Sequence, residues 1–207
     1  MEKAHVVVLL ALLSFSFVMG QETTLDNYDT HIGTALPSSP VQFYDYWQNG
    51  ILIGGGFEYK KSEASSHVLS VEYVWFGFDK EKFFKAFQLS EQNNSISGAS
   101  TNIISLSYAY KYFPVPESYT VRGYLLLGGA AVTSIIGGVE ATYSDYATSQ
   151  NTTVKFGISA GAGIGYQVKI NSEIKWFVEG RYFFGLLRKS DANTVFHPIV
   201  TGLRMTL

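Results

Sequence analysis

The stretch VKFGISAGAGIGYQV, residues Val154–Val168, alternates over its whole length between apolar side chains and glycine or polar ones. Successive side chains of a β-strand point to opposite faces, so a period of two predicts a strand with one apolar face. Strands in ordinary domains usually contain about five or six residues. This strand is therefore too long for an ordinary soluble domain.

The segment that follows, Ile174–Leu186, repeats the alternation after the short stretch Lys169–Glu173, so the two segments predict a hairpin. The same pattern recurs along the chain, although Pro37 makes the first strand short and the consecutive Leu125–Leu127 leave the facing of residues 121–133 open. The predicted strands are residues 30–36, 50–61, 66–78, 99–113, 120–134, 153–168, 173–187 and 195–207.

The connections between these strands alternate in length. Short links lie near Ser62, Pro114–Pro116 and Asn171, and longer ones are predicted at residues 37–49, 79–98, 135–152 and 188–194. Membrane barrels have short turns on the periplasmic side and longer loops outside. The sequence therefore predicts an all-β fold, a closed eight-stranded antiparallel up-and-down transmembrane β-barrel.

The composition is consistent with a strand-built membrane protein. Charged residues make up only 15% of the chain, against the usual quarter or so. Beyond residue 20 no apolar run approaches the roughly 20 residues that a spanning helix needs, so the apolar surface comes from alternation. The formal net charge of -2 gives no support for a nucleic-acid partner.

A soluble calycin-like barrel that binds a hydrophobic ligand is the alternative fold, because alternation alone does not distinguish inside from outside. Aromatic residues at the strand ends of the apolar face match the girdles of a membrane barrel; they are Tyr59, Trp75, Tyr112, Tyr166, Trp176, Tyr182 and Phe184. The opposite face has small residues and sparse charges of both signs, which suits a packed polar lumen. We expect the lumen network to contain Glu58, Lys60, Glu72, Lys111, Lys155, Glu179, Arg181 and Arg204.

The N-terminus carries an export pattern. Lys3 precedes the apolar run Val6–Val18, and Gly20 provides a cleavage position. We therefore expect a signal peptide at residues 1–20 and the barrel domain at residues 21–207. The chain has no cysteine, so we expect neither disulfides nor a lipid-modified N-terminal cysteine.

The chain resembles the small OmpA/OmpX-like outer-membrane barrels, a porin-like group. The residues that carry this resemblance are Ile51–Tyr59, Leu69–Phe78, Gly157–Tyr166 and the terminal Gly202–Leu207. The resemblance implies a bacterial outer-membrane location after export, with outer-membrane lipids, lipopolysaccharide and the barrel assembly machinery as partners. The chain ends in Leu207, whereas such barrels usually end in an aromatic residue.

Candidate chemistry is sparse. The histidines His5, His31, His67 and His197 have no metal-ligand spacing, and we expect no catalytic residue, cofactor or metal. Ser65–His67 could be compared with the lipid-modifying barrel enzymes, but the topology places it at the periplasmic end. The glycines of Gly54–Gly56 and Gly161–Gly163 lie inside predicted strands, where close packing explains them better than a phosphate loop does.

The sequence thus predicts a structural or surface-interaction role through the outer loops. The alternatives are a narrow small-solute channel, a lipid-modifying barrel enzyme and the calycin-like ligand binder. The charged and aromatic segment Asp79–Phe87 is either a contact site or short amphipathic helix in an outer loop, or a strand that continues beyond the bilayer.

Overall fold

The computed structural model describes residues 24–39, 46–86, 88, 94–143, 146–186 and 195–207. The predicted signal peptide lies outside these residues. The elements in chain order are β1 (Thr24–Ser39), β2 (Gly50–Ser62), β3 (Ser65–Phe76), α1 (Lys80–Ala86), β4 (Asn94–Gly98), β5 (Thr101–Tyr112), β6 (Val121–Ile136), β7 (Val139–Tyr143), β8 (Tyr146–Gln150), β9 (Thr153–Lys169), β10 (Ile174–Gly185) and β11 (Val195–Thr206).

The eight long strands close into an antiparallel barrel in the order β1, β11, β10, β9, β6, β5, β3, β2. This confirms the predicted eight-stranded up-and-down fold. Seven of the predicted strands agree with the observed bounds within two residues at each end. Within the described residues, no helix is long and apolar enough to cross a bilayer.

The barrel has two different ends. The short turns at residues 63–64, 113–120 and 170–173 lie at one end, together with the start of β1 and the end of β11, which pair through Asn27 and Thr206. We call this the turn end. The longer connections, with α1 and β4, β7 and β8, lie at the opposite end, which we call the loop end.

The strand β1 is longer than predicted. It pairs with β11 from Asn27 to Ser39 and passes Pro37 through a register irregularity between Pro37 and Ser39. A proline is tolerated in a strand at such a bulge, so Pro37 does not end it as predicted. The structure also decides the facing of β6, because Leu125 and Leu127 face outward and Leu126 is buried inside.

The loop end contains structure that the strand pattern did not predict. Strands β4, β7 and β8 form a separate three-stranded sheet from two outer connections. The segment after Asp79 is the helix α1, so the alternative of a continuing strand is wrong for residues 80–86. Asp79 caps this helix, because its Oδ1 accepts from the Lys82 amide at 3.0 Å.

Candidate functional site in the barrel lumen

The inward rows of the strands bring ionisable and polar side chains together inside the turn-end half of the barrel. Because alternate residues of each strand face inward, side chains from seven strands converge there. We call this set the lumen network; it consists of Asp29, His31, Glu58, Glu72, Lys111, Gln167, Glu179, Arg181 and Arg204.

Arg204 of β11 contacts side chains of the lumen network from three other strands. Its Nε lies 2.8 Å from Glu58 Oε2, its Nη1 donates to Gln167 Oε1 at 3.1 Å, and its Nη2 lies 3.4 Å from Asp29 Oδ2. The guanidinium also sits 4.6 Å from the centre of the Phe177 ring. With a side chain 2% exposed, Arg204 is a buried cation whose charge is met by two carboxylates.

Lys111 is the second cation at the Glu58 carboxylate. Its Nζ lies 3.2 Å from Glu58 Oε2 and 4.0 Å from the centre of the Tyr124 ring. Glu58 Oε1 accepts from Ser66 Oγ at 2.7 Å. A buried charge is costly unless it is paired and hydrogen-bonded, and these contacts satisfy Glu58 on both oxygens.

Glu72 is the centre of the other half of the network. Arg181 Nη2 donates to its Oε1 at 2.5 Å, and Ser105 Oγ donates to its Oε2 at 3.3 Å. His31 Nε2 lies 3.1 Å from Glu72 Oε1, while His31 Nδ1 lies 2.9 Å from Asp29 Oδ1. Only an imidazolium donates from both ring nitrogens, so His31 links the two halves as a cation.

Arg181 completes the charge balance. Its Nε lies 2.8 Å from Glu179 Oε1, and the Tyr124 hydroxyl donates to Glu179 Oε2 at 3.0 Å. The four carboxylates of the network thus face four cations, which are His31, Lys111, Arg181 and Arg204. The network is neutral as a whole, which reduces the cost of placing it in a low-dielectric interior.

Inward glycines provide the space for these side chains. Gly54 of β2 lies between His31 of β1 and Glu72 of β3 in register. A Cβ at Gly54 would lie 2.5 Å from His31 Nε2 and 2.8 Å from Glu72 Cγ. Similarly, Gly165 of β9 lies under the Tyr124 ring. Close packing therefore explains these glycines, as the sequence suggested for Gly54–Gly56.

The loop-end half of the lumen is mainly apolar, although Thr101 and Ser134 are also buried there and Lys155 lies on the inward row of β9. Its buried cluster consists of Ala35, Trp47, Leu52, Val74, Phe76, Ile103, Ala130, Val132, Phe177, Phe196 and Val200. Trp47 pairs with Phe78 through a β-bridge, and Lys82 Nζ donates to the Trp47 carbonyl at 3.1 Å. The start of α1 is thereby held against Trp47 of the apolar cluster.

The turn-end mouth is crossed by the connection at residues 113–120, which we call the mouth turn. Glu117 Oε2 accepts from Lys60 Nζ of β2 at 2.8 Å, and its Oε1 lies 3.7 Å from Lys175 Nζ of β10. Arg122 donates to the carbonyls of Val115 and Glu63 at 3.0 and 2.8 Å. The mouth turn is therefore attached to several strands around the opening.

The hydrogen bond from Lys60 holds the pKa of Glu117 below its ordinary value of 4.5. A lowered pKa stabilises the fold above pH 4.5, and this contribution is lost as the pH falls through the lowered value. We expect Glu117→Gln to cost less than about 1 kcal/mol at pH 7, because the pair is largely exposed. In urea titrations, the difference in unfolding free energy between Glu117→Gln and wild type should shrink below pH 4.5. A difference that grows below this pH would contradict the lowered pKa of Glu117.

The predicted lumen residues are placed as follows. Glu58, Glu72, Lys111, Glu179, Arg181 and Arg204 lie in the lumen network. Lys60 lies instead at the mouth with Glu117, and Lys155 is on the inward row near the loop end of β9. Sequence reasoning missed Asp29, His31 and Gln167. Asn27, Asp29 and His31 alternate at a period of two, which is the sequence signal for an inward polar row in β1. The signal is weak because the opposite, outward row of β1 is only partly apolar.

The predicted girdle residues all lie on the outer face. Trp75, Tyr112, Tyr166, Trp176, Tyr182 and Phe184 are exposed there, and Tyr59 is partly exposed. Around them the exposed outer face is mainly apolar, with Ile51, Ile53, Leu106, Leu127 and Ile164 among its residues. Within the part of the chain that the structure describes, no group of three or more His, Cys, Asp or Glu is arranged to hold a metal ion.

The geometry of the barrel matches solved structures. Neisserial surface protein A superimposes with a TM-score of 0.54 over 90% of this chain and 100% of that one, at 12% sequence identity. The fold is that of a small outer-membrane β-barrel. Weaker similarities include a major outer membrane protein of Thermus thermophilus (TM-score 0.48, 11% identity, 88% and 99% covered) and the attachment invasion locus protein Ail of Yersinia pestis (0.46, 13%, 88% and 98%). No protein-family model matches the chain, and neither does any curated protein.

Proposed function

We propose that this chain is an outer-membrane barrel with a closed lumen, which anchors a folded outer-loop platform for contact with partners at the cell surface. The observation that carries the proposal is the filling of the lumen at successive levels. The mouth turn crosses the turn end, the lumen network fills the next level, and the apolar cluster under Trp47 fills the loop end. Such an interior supports anchoring rather than transport.

The outer face supports the membrane location. Exposed apolar residues along the strands suit a bilayer, and the aromatic residues near the strand ends suit its two interfaces. The lumen network argues against the calycin-like alternative, because a hydrophobic ligand needs an apolar cavity rather than buried ion pairs. On this proposal the turn end faces the periplasm, after export by the signal peptide and insertion by the barrel assembly machinery.

The loop end provides the interaction surface. The sheet of β4, β7 and β8 exposes uncharged polar side chains, including Ser95, Ser97 and Ser149, together with one carboxylate, Glu140. On α1, Lys80 and Lys85 are exposed and carry positive charge, and Glu81 is exposed with them. Lysine ammonium groups at the loop end suit the phosphates of lipopolysaccharide, and the polar sheet suits a macromolecular surface partner.

The strand geometry argues against a lipid-modifying enzyme built on Ser65–His67. Ser66 faces the lumen and donates to Glu58, whereas His67 faces outward and contacts the Tyr108 hydroxyl. Adjacent residues of a strand point to opposite faces, so these two side chains do not form a nucleophile and base pair. A change in the lipid A mass spectrum caused by His67→Ala would overturn this argument.

The proposal is tested by fractionating cells that express the full-length chain and running the membrane protein on SDS gels with and without boiling. A closed barrel stays folded in detergent until heated, so we expect outer-membrane protein with a heat-dependent mobility shift. Soluble protein without a shift would overturn the proposal and favour the calycin-like ligand binder.

A small-solute channel is the second candidate, favoured by a polar vestibule of about 280 Å³ at the turn end, lined by Lys60, Glu117 and Arg122 among others. The vestibule leads to the lumen network, but the apolar cluster lies beyond it. We therefore expect no current steps from the purified protein in planar bilayers. Reproducible steps that respond to Arg204→Met would favour the channel instead.

A further inference from the structure

A row of polar aromatic side chains crosses the outer face near the turn end. His67 of β3 pairs in register with Tyr59 of β2 on one side and with Tyr110 of β5 on the other. All three side chains belong to the outward rows of their strands. The row therefore places two phenols and an imidazole side by side on the surface that the proposed function assigns to the membrane.

His67 is held in a defined orientation. Its Nδ1 lies 2.6 Å from the Tyr108 hydroxyl, and the two rings stack with centroids 5.7 Å apart and planes 14° apart. The centroid of the Tyr110 ring, on the same strand as Tyr108, lies 5.5 Å from that of His67. A neutral imidazole that accepts the Tyr108 hydroxyl proton at Nδ1 carries its own proton on Nε2, which then donates to a ligand.

A cation lies next to this row. Lys61 follows Tyr59 by two residues near the end of β2, where the pairing with β3 shifts register between Lys60 and Ser62, and its side chain is exposed. Among the described residues, Lys61 has no ion-pair partner within 4 Å. Its ammonium group is thus free to bind an anion from outside the protein.

We propose that Lys61, His67, Tyr59 and Tyr110 form a binding site for the phosphate of a phospholipid in the periplasmic leaflet. The ammonium, the imidazole N–H and the phenol hydroxyls are all donors, and phosphate oxygens are strong acceptors. The site lies where the apolar strand face ends, so a bound phosphate leaves the acyl chains against Leu69 and Leu106 on the same face. The inference rests on the proposed function, because it needs the outer face to meet a bilayer.

His197 offers a matched control at the other end of the barrel. It also faces outward and stacks on a tyrosine, with the Tyr182 and His197 centroids 4.3 Å apart and the planes 13° apart. Its Nδ1 accepts from the Phe183 amide at 3.3 Å. Replacing His197 by phenylalanine therefore removes an outward, stacked imidazole without changing the proposed phosphate site.

The test is native mass spectrometry of the full chain in detergent micelles titrated with dimyristoyl phosphatidylglycerol. All samples must first show the heat-dependent mobility shift, so that a failed barrel counts against the proposed function and not against the lipid site. We expect about a tenfold loss of lipid affinity in His67→Phe and in Lys61→Gln, the size of one charge-assisted hydrogen bond. We expect His197→Phe to bind like wild type.

The other outcomes overturn the inference. Wild-type affinity in both His67→Phe and Lys61→Gln would show that the row is only aromatic surface, and since Lys61 is exposed, Lys61→Gln tests the site even if His67→Phe does not fold. An equal loss in His197→Phe would indicate unspecific lipid contact. Inorganic phosphate binding as tightly as the lipid would indicate a free phosphate as the ligand.

Discussion

Replacing Arg204 with methionine is expected to lower the free energy of unfolding by about 3–5 kcal/mol. Methionine fills much of the arginine volume, but it leaves the Glu58 and Asp29 carboxylates without their shared cation. The remaining contact of Lys111 with Glu58 does not reach Asp29, whose other partner is His31. The measurement is urea unfolding in lipid vesicles, followed by tryptophan fluorescence and by the heat-dependent gel shift.

Lys60→Gln is the control for this prediction. It also removes a cation that contacts a carboxylate, but the Lys60 and Glu117 side chains are 40% and 41% exposed, and such pairs contribute under about 1 kcal/mol. The contrast between the two variants isolates burial as the cause. If the free energy of unfolding of Arg204→Met lies within about 1 kcal/mol of the wild-type value, the lumen network does not depend on this cation. That result would contradict the structural role assigned to Arg204.

Replacing Gly54 with alanine is expected to destabilise the barrel by about 1–3 kcal/mol, although only one methyl group is added. The new Cβ would lie 2.5 Å from His31 Nε2, 2.8 Å from Glu72 Cγ and 2.9 Å from the Val71 carbonyl oxygen. The first two contacts force the His31 and Glu72 side chains apart, and the third is with backbone that moves only with the β2–β3 ladder.

Gly180→Ala is the matched control, since the same change adds a Cβ that meets no atom within 4 Å on the outer face. There alanine reduces the freedom of the unfolded chain without strain, so we expect a neutral or slightly stabilising effect. Urea unfolding of both variants under identical conditions provides the comparison. Equal unfolding midpoints would contradict the assigned role of Gly54 as the space beneath the ion pair.

The strand pattern predicted seven barrel strands closely because six of them have an apolar row at a period of two, and β6 is a long stretch rich in apolar residues although its facing stayed open. The first strand was predicted too short for a specific reason. In β1 the outward row contains Thr30 and Thr34 beside Ile32, so the contrast between its faces is weak. Its length follows from pairing with β11 and β2, which satisfies its backbone groups over the full strand.

The loop-end elements were unpredictable for another reason. Strands β4, β7 and β8 contain five residues each and lack a continuous apolar row, so local sequence carries little signal for them. The sheet combines two connections: β4 belongs to the one between β3 and β5, and β7 and β8 belong to the one between β6 and β9. Only the closed barrel brings these two connections together.

The sequence by itself determined the architecture, because alternation and the lengths of connections are local properties that a period of two makes readable. It also marked most of the inward charges, including Glu58, Glu72 and Arg204. Only the tertiary structure decided which of them meet, and it added His31 and Asp29 to the network. The physical reason is that these partners lie on different strands, as in the 175 residues between Asp29 and Arg204, and barrel closure alone sets their distances.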